Sequence, residues 1–338
     1  MRSYHLTGAG EPEQSLRLRE HPIPEPGPTG LLVRVRAAAL NRRDELILHD
    51  RYPLPSRPEV VPLSDGAGEV VAVGARVTRF RVGDRVVGSY WPRWTGGRLS
   101  THLYDQLGNT VDGMLTEYAV LDQEWAVGVP DSLSWTEAAT LPCAAVTAWT
   151  SLTGGRGLRP GGTVLTLGSG GVSLFALQLA KAMGCRVICT TSAPEKAERL
   201  LALGADEVID YRVEPEWSGR ARELTGGEGA DLVVETVGPA TFEQSMRSAG
   251  LHGEVVFVGG SAVEPELRIA TATYARTMAT VRRVFVGSRA DLADLVRAVA
   301  VTGIRPVIDS VFPFEQAREA YRHYLSGGSF GKVVIAIG

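Results

Sequence analysis

The sequence contains few cysteines and no long apolar run. Its three cysteines cannot build a disulfide framework, and no Cys-x-x-Cys spacing occurs. A reducing, cytoplasmic location is therefore expected. An uncharged stretch over residues 163–180 carries glycines and hydroxyl side chains, so it predicts a glycine turn and not a membrane span. Residues 1–14 lack an apolar region, so we expect no secretory signal.

An excess of positive charge is also lacking. The formal net charge is -3, with 22% charged and 44% hydrophobic residues, which are proportions typical of a soluble globular protein. This balance gives no electrostatic reason to expect a nucleic-acid partner, and neither a membrane nor a nucleic acid is predicted to bind. A length of 338 residues favours two domains.

The chain changes character along its length. The first part has short apolar runs separated by Gly and Pro, which is typical of an irregular β-barrel. The tail predicts two helices and a final strand. After residue 162, six predicted strands alternate with helical patterns, which favours a doubly wound parallel sheet. The six strands are 163–167, 186–191, 207–211, 231–236, 253–258 and 281–286.

A glycine turn joins the first of these strands to a helix. It comprises Gly168, Ser169, Gly170, Gly171 and Val172. Gly168 permits the tight turn, and Gly170 lets the backbone approach a pyrophosphate closely. The helix start then offers unpaired N–H groups to the anion. In this strand–turn–helix context the pattern predicts dinucleotide binding, although it could also be an ordinary glycine-rich turn.

The next strand end indicates which dinucleotide binds. An NAD site places an acid about 20 residues past the turn, but no Asp or Glu occurs over residues 169–194. Thr191 and Ser192 supply hydroxyl groups there, and Lys196 supplies an ammonium group. These groups favour a 2′-phosphate, so NADP+ or NADPH is the predicted cofactor. The alternative is that Lys196 is a solvated helix residue.

With these residues in place, the chain resembles the medium-chain dehydrogenase/reductase superfamily over nearly its full length. The similar segments are residues 39–44, 64–74 with 82–86, 141–149 and 168–172. The resemblance implies a GroES-like β-barrel catalytic domain and a six-stranded doubly wound (Rossmann) cofactor domain. It implies a first catalytic segment at 1–128, the cofactor domain at 129–288 and a return segment at 289–338.

The chain departs from the zinc-dependent members of that superfamily at the metal positions. Where those members supply Cys, His-Glu and a third ligand, this chain has Asn41, Ser64-Asp65 and Cys143. A catalytic zinc requires about three Cys, His or carboxylate ligands, so we expect no zinc. The chain is thus similar to the quinone oxidoreductase and enone reductase branches. Cys143 is read as a buried small residue, or alternatively as a reactive thiol.

The resemblance also implies further contacts. Tyr52 matches a tyrosine that lies beside the pocket in related zinc-free reductases. Thr147 falls in the segment that resembles the helix beneath the nicotinamide, and Lys332 is similar to the family's closing cofactor contact. Each contact could instead be structural. The remaining cofactor positions implied are Tyr211, Val237, Gly238, Val258, Gly259, Phe285, Val286 and Gly287.

Few polar groups remain for catalysis. Asn41 can donate through its amide to a carbonyl or to the nicotinamide ribose, and Tyr52 can donate a hydrogen bond or a proton. Asp44 and Asp65 shape the pocket, with an ion pair to Arg43 as the structural alternative for Asp44. Trp91 either forms an aromatic wall of the pocket or packs inside its own lobe.

Losing the metal shifts the expected substrate. A simple ketone yields an alkoxide that needs strong stabilisation, whereas an enone or a quinone spreads the charge. We therefore predict a zinc-independent, NADPH-dependent reductase of apolar α,β-unsaturated carbonyls or quinones. The alternatives are a zinc-free alcohol or ketone dehydrogenase, and a noncatalytic NADPH-binding redox sensor or structural protein. By resemblance, a homodimer through the last Rossmann strand is expected.

Overall fold

The computed structural model describes residues 1–259 and 266–338. These residues divide into two units. The first comprises Met1–Val146 and Val286–Gly338, and the second comprises Thr147–Phe285. Residues 129–146, expected from the resemblance in the cofactor domain, are part of the first unit. Within the described ranges, no helix combines the length and the apolar character needed to cross a bilayer.

Strands contribute most of the regular structure of the first unit. Across both units, the strands of the described residues are β1 Arg2–Leu6, β2 Leu16–Glu20, β3 Gly30–Ala39, β4 Asp65–Val73, β5 Arg85–Gly88, β6 Tyr118–Asp122, β7 Ala126–Gly128, β8 Thr163–Leu167, β9 Arg186–Thr191, β10 Glu207–Asp210, β11 Ala230–Glu235, β12 Ala249–Phe257, β13 Thr280–Arg283, β14 Ile308–Pro313 and β15 Lys332–Ala336.

The helices of the described residues are α1 Pro12–Ser15, α2 Arg42–Leu48, α3 Trp135–Ala138, α4 Val146–Thr153, α5 Gly171–Ala182, α6 Pro194–Ala202, α7 Trp217–Leu224, α8 Pro239–Ser248, α9 Thr271–Ala275, α10 Arg289–Thr302 and α11 Ala317–Leu325. A π-helical turn, Leu141–Ala145, leads into α4.

The first unit is organised around β3, which is buried over most of its length. Its main sheet has the order β14-β15-β3-β4-β5-β7, and β6 also pairs with β3. The C-terminal segment returns to this unit because β15 pairs antiparallel with β3. The predicted β-barrel region and the predicted last strand are both present here.

The strand register of this sheet gathers polar residues at one end. Ala39, the last residue of β3, lies opposite Asp65, the first residue of β4. Ala39 also lies opposite Val334 in β15, and the Leu40 N–H donates to the Val333 carbonyl. Residues just after β3 therefore meet the first residues of both β4 and β15.

The second unit is a six-stranded parallel sheet with the order β10-β9-β8-β11-β12-β13. This is the doubly wound arrangement, and it confirms the fold class predicted from the alternating pattern. Because all six strands run parallel, their carboxyl ends share one edge, where such sheets bind ligands. β10 and β13 are the two edge strands of this sheet, and the homodimer through the last Rossmann strand stays a prediction.

Several predicted boundaries differ from the structure. The last Rossmann strand was predicted over 281–286 but ends at Arg283, and the backbone turns at Val286, whose φ is +64°. The Ser134–Glu137 capping-box spacing predicts a helix over residues 135–141, but the observed helix ends at Ala138. The helix α2 was not predicted. It forms because the Asp44 carboxylate accepts from the Asn41 N–H at its start and three apolar residues are buried at its end.

Candidate functional site

Asn41 and Lys332 form the centre of a buried polar cluster in the first unit. Lys332 is only 3% exposed although it carries an ammonium group. Its Nζ donates to the Leu40 carbonyl at 2.6 Å and to Asn41 Oδ1 at 2.5 Å. The same Nζ lies 3.4 Å from Asp65 Oδ2. The ammonium thus has three acceptors for its three hydrogens.

Two carboxylates balance the charge of this cluster. Asp65 is fully buried and accepts from the Ser64 hydroxyl at 2.9 Å. Asp44 accepts from the Asn41 N–H at 2.8 Å and lies 3.3 Å from the Arg43 guanidinium. Burial raises the pKa of Asp44 to about 6, with Arg43 acting in the opposite direction. The predicted ion pair of Asp44 with Arg43 is therefore present.

A second set of contacts surrounds Gln106. Its Oε1 accepts from Tyr52 at 2.9 Å and from Tyr90 at 3.2 Å, and the two phenol oxygens are 2.7 Å apart. Arg43 reaches the same Oε1 at 3.3 Å and lies 4.8 Å from the centre of the Tyr90 ring. Burial raises the pKa of Tyr90 well above its usual range, so that phenol stays neutral. Tyr52 is thus part of a buried network and is not merely a turn residue.

Two buried amide nitrogens have no hydrogen-bond partner among the described residues. They are Asn41 Nδ2 and Gln106 Nε2. In both cases the amide oxygen is held by donors, which turns the nitrogen away from them. An unsatisfied buried donor costs about 1–3 kcal/mol, so each nitrogen is a place where an acceptor atom would be stabilised. Gln106 could not be singled out earlier, because one glutamine in an irregular loop forms no pattern.

Cys143 and Trp91 complete the sequence-predicted residues of this unit. Burial, together with the nearby charge of Asp65, raises the pKa of the Cys143 thiol. The thiol is therefore protonated at neutral pH and unsuited to act as a nucleophile. Trp91 is 1% exposed and packs edge-to-face on Tyr90, with ring centres 5.3 Å apart. It belongs to the interior of its lobe and is not an open aromatic wall.

The glycine turn in the second unit has the geometry that its sequence predicts. Gly168 has φ +72°, a conformation that a side chain disfavours, and open space lies where its Cβ would point. Gly170 precedes the first residue of α5 and is equally open. Ser169 is buried, and Gly171 and Val172 form the first turn of the 12-residue helix α5. Backbone N–H groups at this helix start can receive a pyrophosphate.

The end of β9 carries the groups predicted to recognise a 2′-phosphate. Thr191 is the last residue of β9, and its carbonyl accepts from the Tyr211 N–H at 3.0 Å. Tyr211 is 40% exposed. Ser192 and Lys196 are partly exposed, and Lys196 lies in the first turn of α6. The four residues therefore come together at one end of β9 and β10.

Glu235 shapes the neighbouring strand end, and sequence reasoning missed it. This fully buried carboxylate ends β11 and accepts from the N–H groups of Val237 at 2.7 Å and Gly238 at 2.9 Å. The hydroxyls of Thr241 and Ser245 donate to its other oxygen. An acid that directly follows the apolar run 232–234 was the available signal. Glu235 holds the turn on which two predicted cofactor residues lie.

The remaining predicted cofactor residues lie after β12, after β13 and on α4. The N–H groups of Val258 and Gly259 donate to the Glu235 carbonyl. A Cβ on Gly259 would lie 2.6 Å from the Thr236 carbonyl carbon, so only glycine fits. Thr147 is buried in α4. Phe285 is the last residue of the second unit, and Val286 and Gly287 follow in the first.

No set of three or more His, Cys, Asp or Glu side chains suited to a metal ion occurs in residues 1–259 and 266–338.

Two family models match the chain. The alcohol dehydrogenase GroES-like domain matches residues 27–131, and the zinc-binding dehydrogenase model matches residues 171–301.

Curated relatives match nearly the whole chain. A zinc-type alcohol dehydrogenase-like protein of Schizosaccharomyces pombe is 41% identical over 95% of both chains. A quinone oxidoreductase of Pseudomonas aeruginosa is 34% identical over 96% of both. An acryloyl-coenzyme A reductase of Metallosphaera sedula is 32% identical over 96% of this chain and 97% of its own.

Solved structures agree with this assignment. A Sinorhizobium meliloti protein provisionally named an alcohol dehydrogenase has a TM-score of 0.92, is 41% identical and covers 99% of this chain and 98% of its own. An NAD-dependent alcohol dehydrogenase has a TM-score of 0.89 at 34% identity over the full length of both chains. A mycobacterial protein complexed with NADPH has a TM-score of 0.81 at 29% identity over 99% of both. The chain belongs to the medium-chain dehydrogenase/reductase superfamily of oxidoreductases.

Proposed function

We propose that this oxidoreductase works without zinc and reduces an α,β-unsaturated carbonyl or a quinone with NADPH. The observation that carries the proposal is the Lys332 ammonium in the polar cluster. It lies 2.5 Å from Asn41 Oδ1 and 3.4 Å from Asp65 Oδ2, two of the positions where zinc-dependent members supply ligands.

Zinc does not fit this set of donors. Asn41 is a poor ligand, the Asp65 carboxylate already faces an ammonium, and the pKa of the Cys143 thiol is raised by burial. A dication placed among them would also be repelled by Lys332 and would need the thiol to lose its proton. The chemistry of this cluster is therefore that of hydrogen-bond donors and not of a Lewis acid.

Hydrogen-bond donors suit a substrate whose developing charge is delocalised. Hydride addition to the β-carbon of an enone places the electron pair on an enolate, with charge shared between oxygen and the α-carbon. The Asn41 Nδ2 group is an unsatisfied buried donor that can bind that oxygen. The α-carbon then takes a proton. With a quinone, hydride transfer to one oxygen leaves the negative charge on the second oxygen, and that oxygen takes the proton.

Tyr52 is the group proposed to supply that proton. Tyr52 is the partly exposed residue of the Gln106 network, and its hydroxyl lies 2.7 Å from the hydroxyl of the buried Tyr90. Gln106 Oε1 fixes the orientation of both phenols. A proton leaving Tyr52 can be replaced from solvent, because this residue is partly exposed.

The second unit fits a dinucleotide. The glycine turn and the start of α5 would hold the pyrophosphate, and Thr191, Ser192 and Lys196 would hold a 2′-phosphate. When bound, NADPH supplies the hydride. A structural neighbour complexed with NADPH supports this preference, although another is described as NAD-dependent.

Relatives support two candidate substrate classes. The quinone oxidoreductase and the acryloyl-coenzyme A reductase act, by their names, on a quinone and on a conjugated carbonyl. The alcohol dehydrogenase names of other relatives, one of them described as zinc-type, favour an alcohol or ketone dehydrogenase as the second candidate. The polar cluster, and not those names, supports a zinc-free mechanism for this second candidate as well.

The test compares matched acceptors. NADPH oxidation, followed at about 340 nm, is measured with cyclohexenone, cyclohexanone and a benzoquinone, with zinc determined on the same sample. We expect turnover of the enone or the quinone, little with the saturated ketone, and no loss with a chelator. Cyclohexanone turnover that a chelator abolishes, with about one zinc per chain, would contradict the proposal.

A further inference from the structure

The Asn41 amide can be oriented in only one way beside Lys332. The ammonium has hydrogens and no lone pair, so it must face the amide oxygen and not the amide nitrogen. The 2.5 Å contact from Nζ to Oδ1 is that arrangement. Asn41 Nδ2 is consequently turned away from the ammonium, and it has no partner among the described residues.

Lys332 itself has no hydrogen left for a substrate. Its three acceptors are the Leu40 carbonyl, Asn41 Oδ1 and Asp65 Oδ2. The resemblance implied a direct cofactor contact for this lysine, whereas the structure places its Nζ wholly inside the first unit, 3% exposed. Lys332 therefore donates no hydrogen bond to a substrate, and it acts on a reaction through these acceptors and through its electrostatic field.

The amide is the acceptor able to pass the effect on. An ammonium against Oδ1 withdraws electron density from the amide, which makes its N–H groups stronger donors. Asp65, whose Oδ2 lies 3.4 Å from Nζ, compensates the buried positive charge of Lys332. The result is a neutral donor group that is polarised by a cation behind it.

We propose that Lys332 is a positioning residue that fixes and polarises the Asn41 amide, so that Asn41 Nδ2 binds the substrate oxygen as negative charge develops on it. The inference rests on the proposed function. It assigns a role in turnover to a lysine that touches neither the hydride donor nor the substrate.

The first test is the Lys332→Met variant, with Lys181→Met as the matched control. Lys181 is paired with Asp206 in the second unit, outside the residues proposed to act in the reaction. We expect Lys332→Met to lower kcat for enone or quinone reduction by about 100-fold, the loss typical of a missing oxyanion donor. The dissociation constant of NADPH, from fluorescence titration, should change less than about twofold for both variants.

The affinity measurement needs no acceptor, so it separates this inference from the proposed function. An NADPH dissociation constant raised tenfold or more by Lys332→Met alone would show a cofactor contact and overturn the positioning role. If the wild type reduces only saturated ketones, the proposed function fails. The kcat comparison is then made on that ketone, whose oxygen needs the same donor.

A double-mutant cycle distinguishes positioning from simple structural support. If Lys332 acts through Asn41, the Lys332→Met and Asn41→Ala double variant should lose little more than the worse single variant. Independent, multiplicative losses would overturn the proposal. Should Lys332→Met fail to fold, Asn41→Asp still gives Lys332 an acceptor but removes Nδ2, and a wild-type kcat in that variant would equally overturn it.

Discussion

The two candidate sites are built from different chemical groups. In the first unit the polar cluster consists of side chains whose charges compensate one another, and three of its buried nitrogens, Asn41 Nδ2, Arg43 Nε and Gln106 Nε2, lack partners among the described residues. In the second unit the cofactor edge consists of backbone N–H groups, glycines and strand ends. The first arrangement depends on exact partners, whereas the second depends on space and backbone conformation. Substitutions should therefore affect them by different routes.

The largest effect is expected when the open space at the cofactor edge is filled. Gly168→Val places a branched side chain where the pyrophosphate is expected, and we predict an increase of at least about 1,000-fold in the NADPH dissociation constant. That corresponds to about 4 kcal/mol of binding free energy. Fluorescence titration of NADPH measures it.

A matched glycine separates steric block from backbone strain. Gly161 has φ +84° and open space at its Cβ, but it lies before β8, at the opposite end of that strand from Gly168. Gly161→Val should cost comparable thermal stability, because both variants force valine into a positive φ. Its NADPH affinity should stay near that of the wild type. Equal loss of affinity in both variants would show that strain, and not the pyrophosphate site, explains the result.

The contrast between the sites also explains what the sequence could predict. The strands 163–167 and 186–191 were predicted with their observed bounds, because buried apolar runs between glycines and polar turns are local signals. The glycine turn is likewise local. Its role follows from about six consecutive residues, so no tertiary information was needed.

The polar cluster could be predicted only in part. Asn41 and Asp65 were singled out by resemblance, but Lys332 was expected at the cofactor. Lys332 lies 267 positions from Asp65, and only the pairing of β15 with β3 brings them together. Gln106 and Tyr90 lie in irregular structure, where periodicity gives no information. The cluster could not be predicted in full because local sequence patterns do not indicate which distant strands pair.

The second largest effect is expected in the pH dependence of stability, which tests the charge balance of the polar cluster. Burial raises the pKa of Asp44 from 3.8 to about 6, so the folded state holds its proton more tightly than the unfolded state does. Between about pH 4 and pH 6 Asp44 binds more protons in the native state than in the unfolded state, so its contribution to the free energy of unfolding falls as the pH rises. The loss is close to 3 kcal/mol at most. The free energy of unfolding is measured by urea denaturation of the wild type and of Asp44→Asn from pH 4 to pH 7. The difference between the two proteins should show this decrease.

Asp206 provides a control of opposite sign. Although burial acts against it, hydrogen bonds from Lys181 and from the Val187 N–H lower the pKa of Asp206. The stabilisation that Asp206 contributes is present above its unfolded pKa and is lost as the pH falls. The free energy of unfolding of the wild type minus that of Asp206→Asn should therefore increase with pH. A wild-type minus Asp44→Asn difference that stays flat across the window would contradict the raised pKa.

The smallest effect is expected at the end of β9, and it concerns which dinucleotide binds. Lys196→Ala should weaken NADPH binding by about 10- to 100-fold, the range expected for one hydrogen bond between charged groups. NADH lacks the 2′-phosphate, so its dissociation constant should change little. Lys181→Ala removes a lysine that is paired with Asp206 and should change neither. If Lys196→Ala weakens both dinucleotides equally, the lysine supports α6 and does not read the phosphate. The preference for NADPH would then have to come from Thr191 and Ser192, and Ser192→Ala would become the deciding variant.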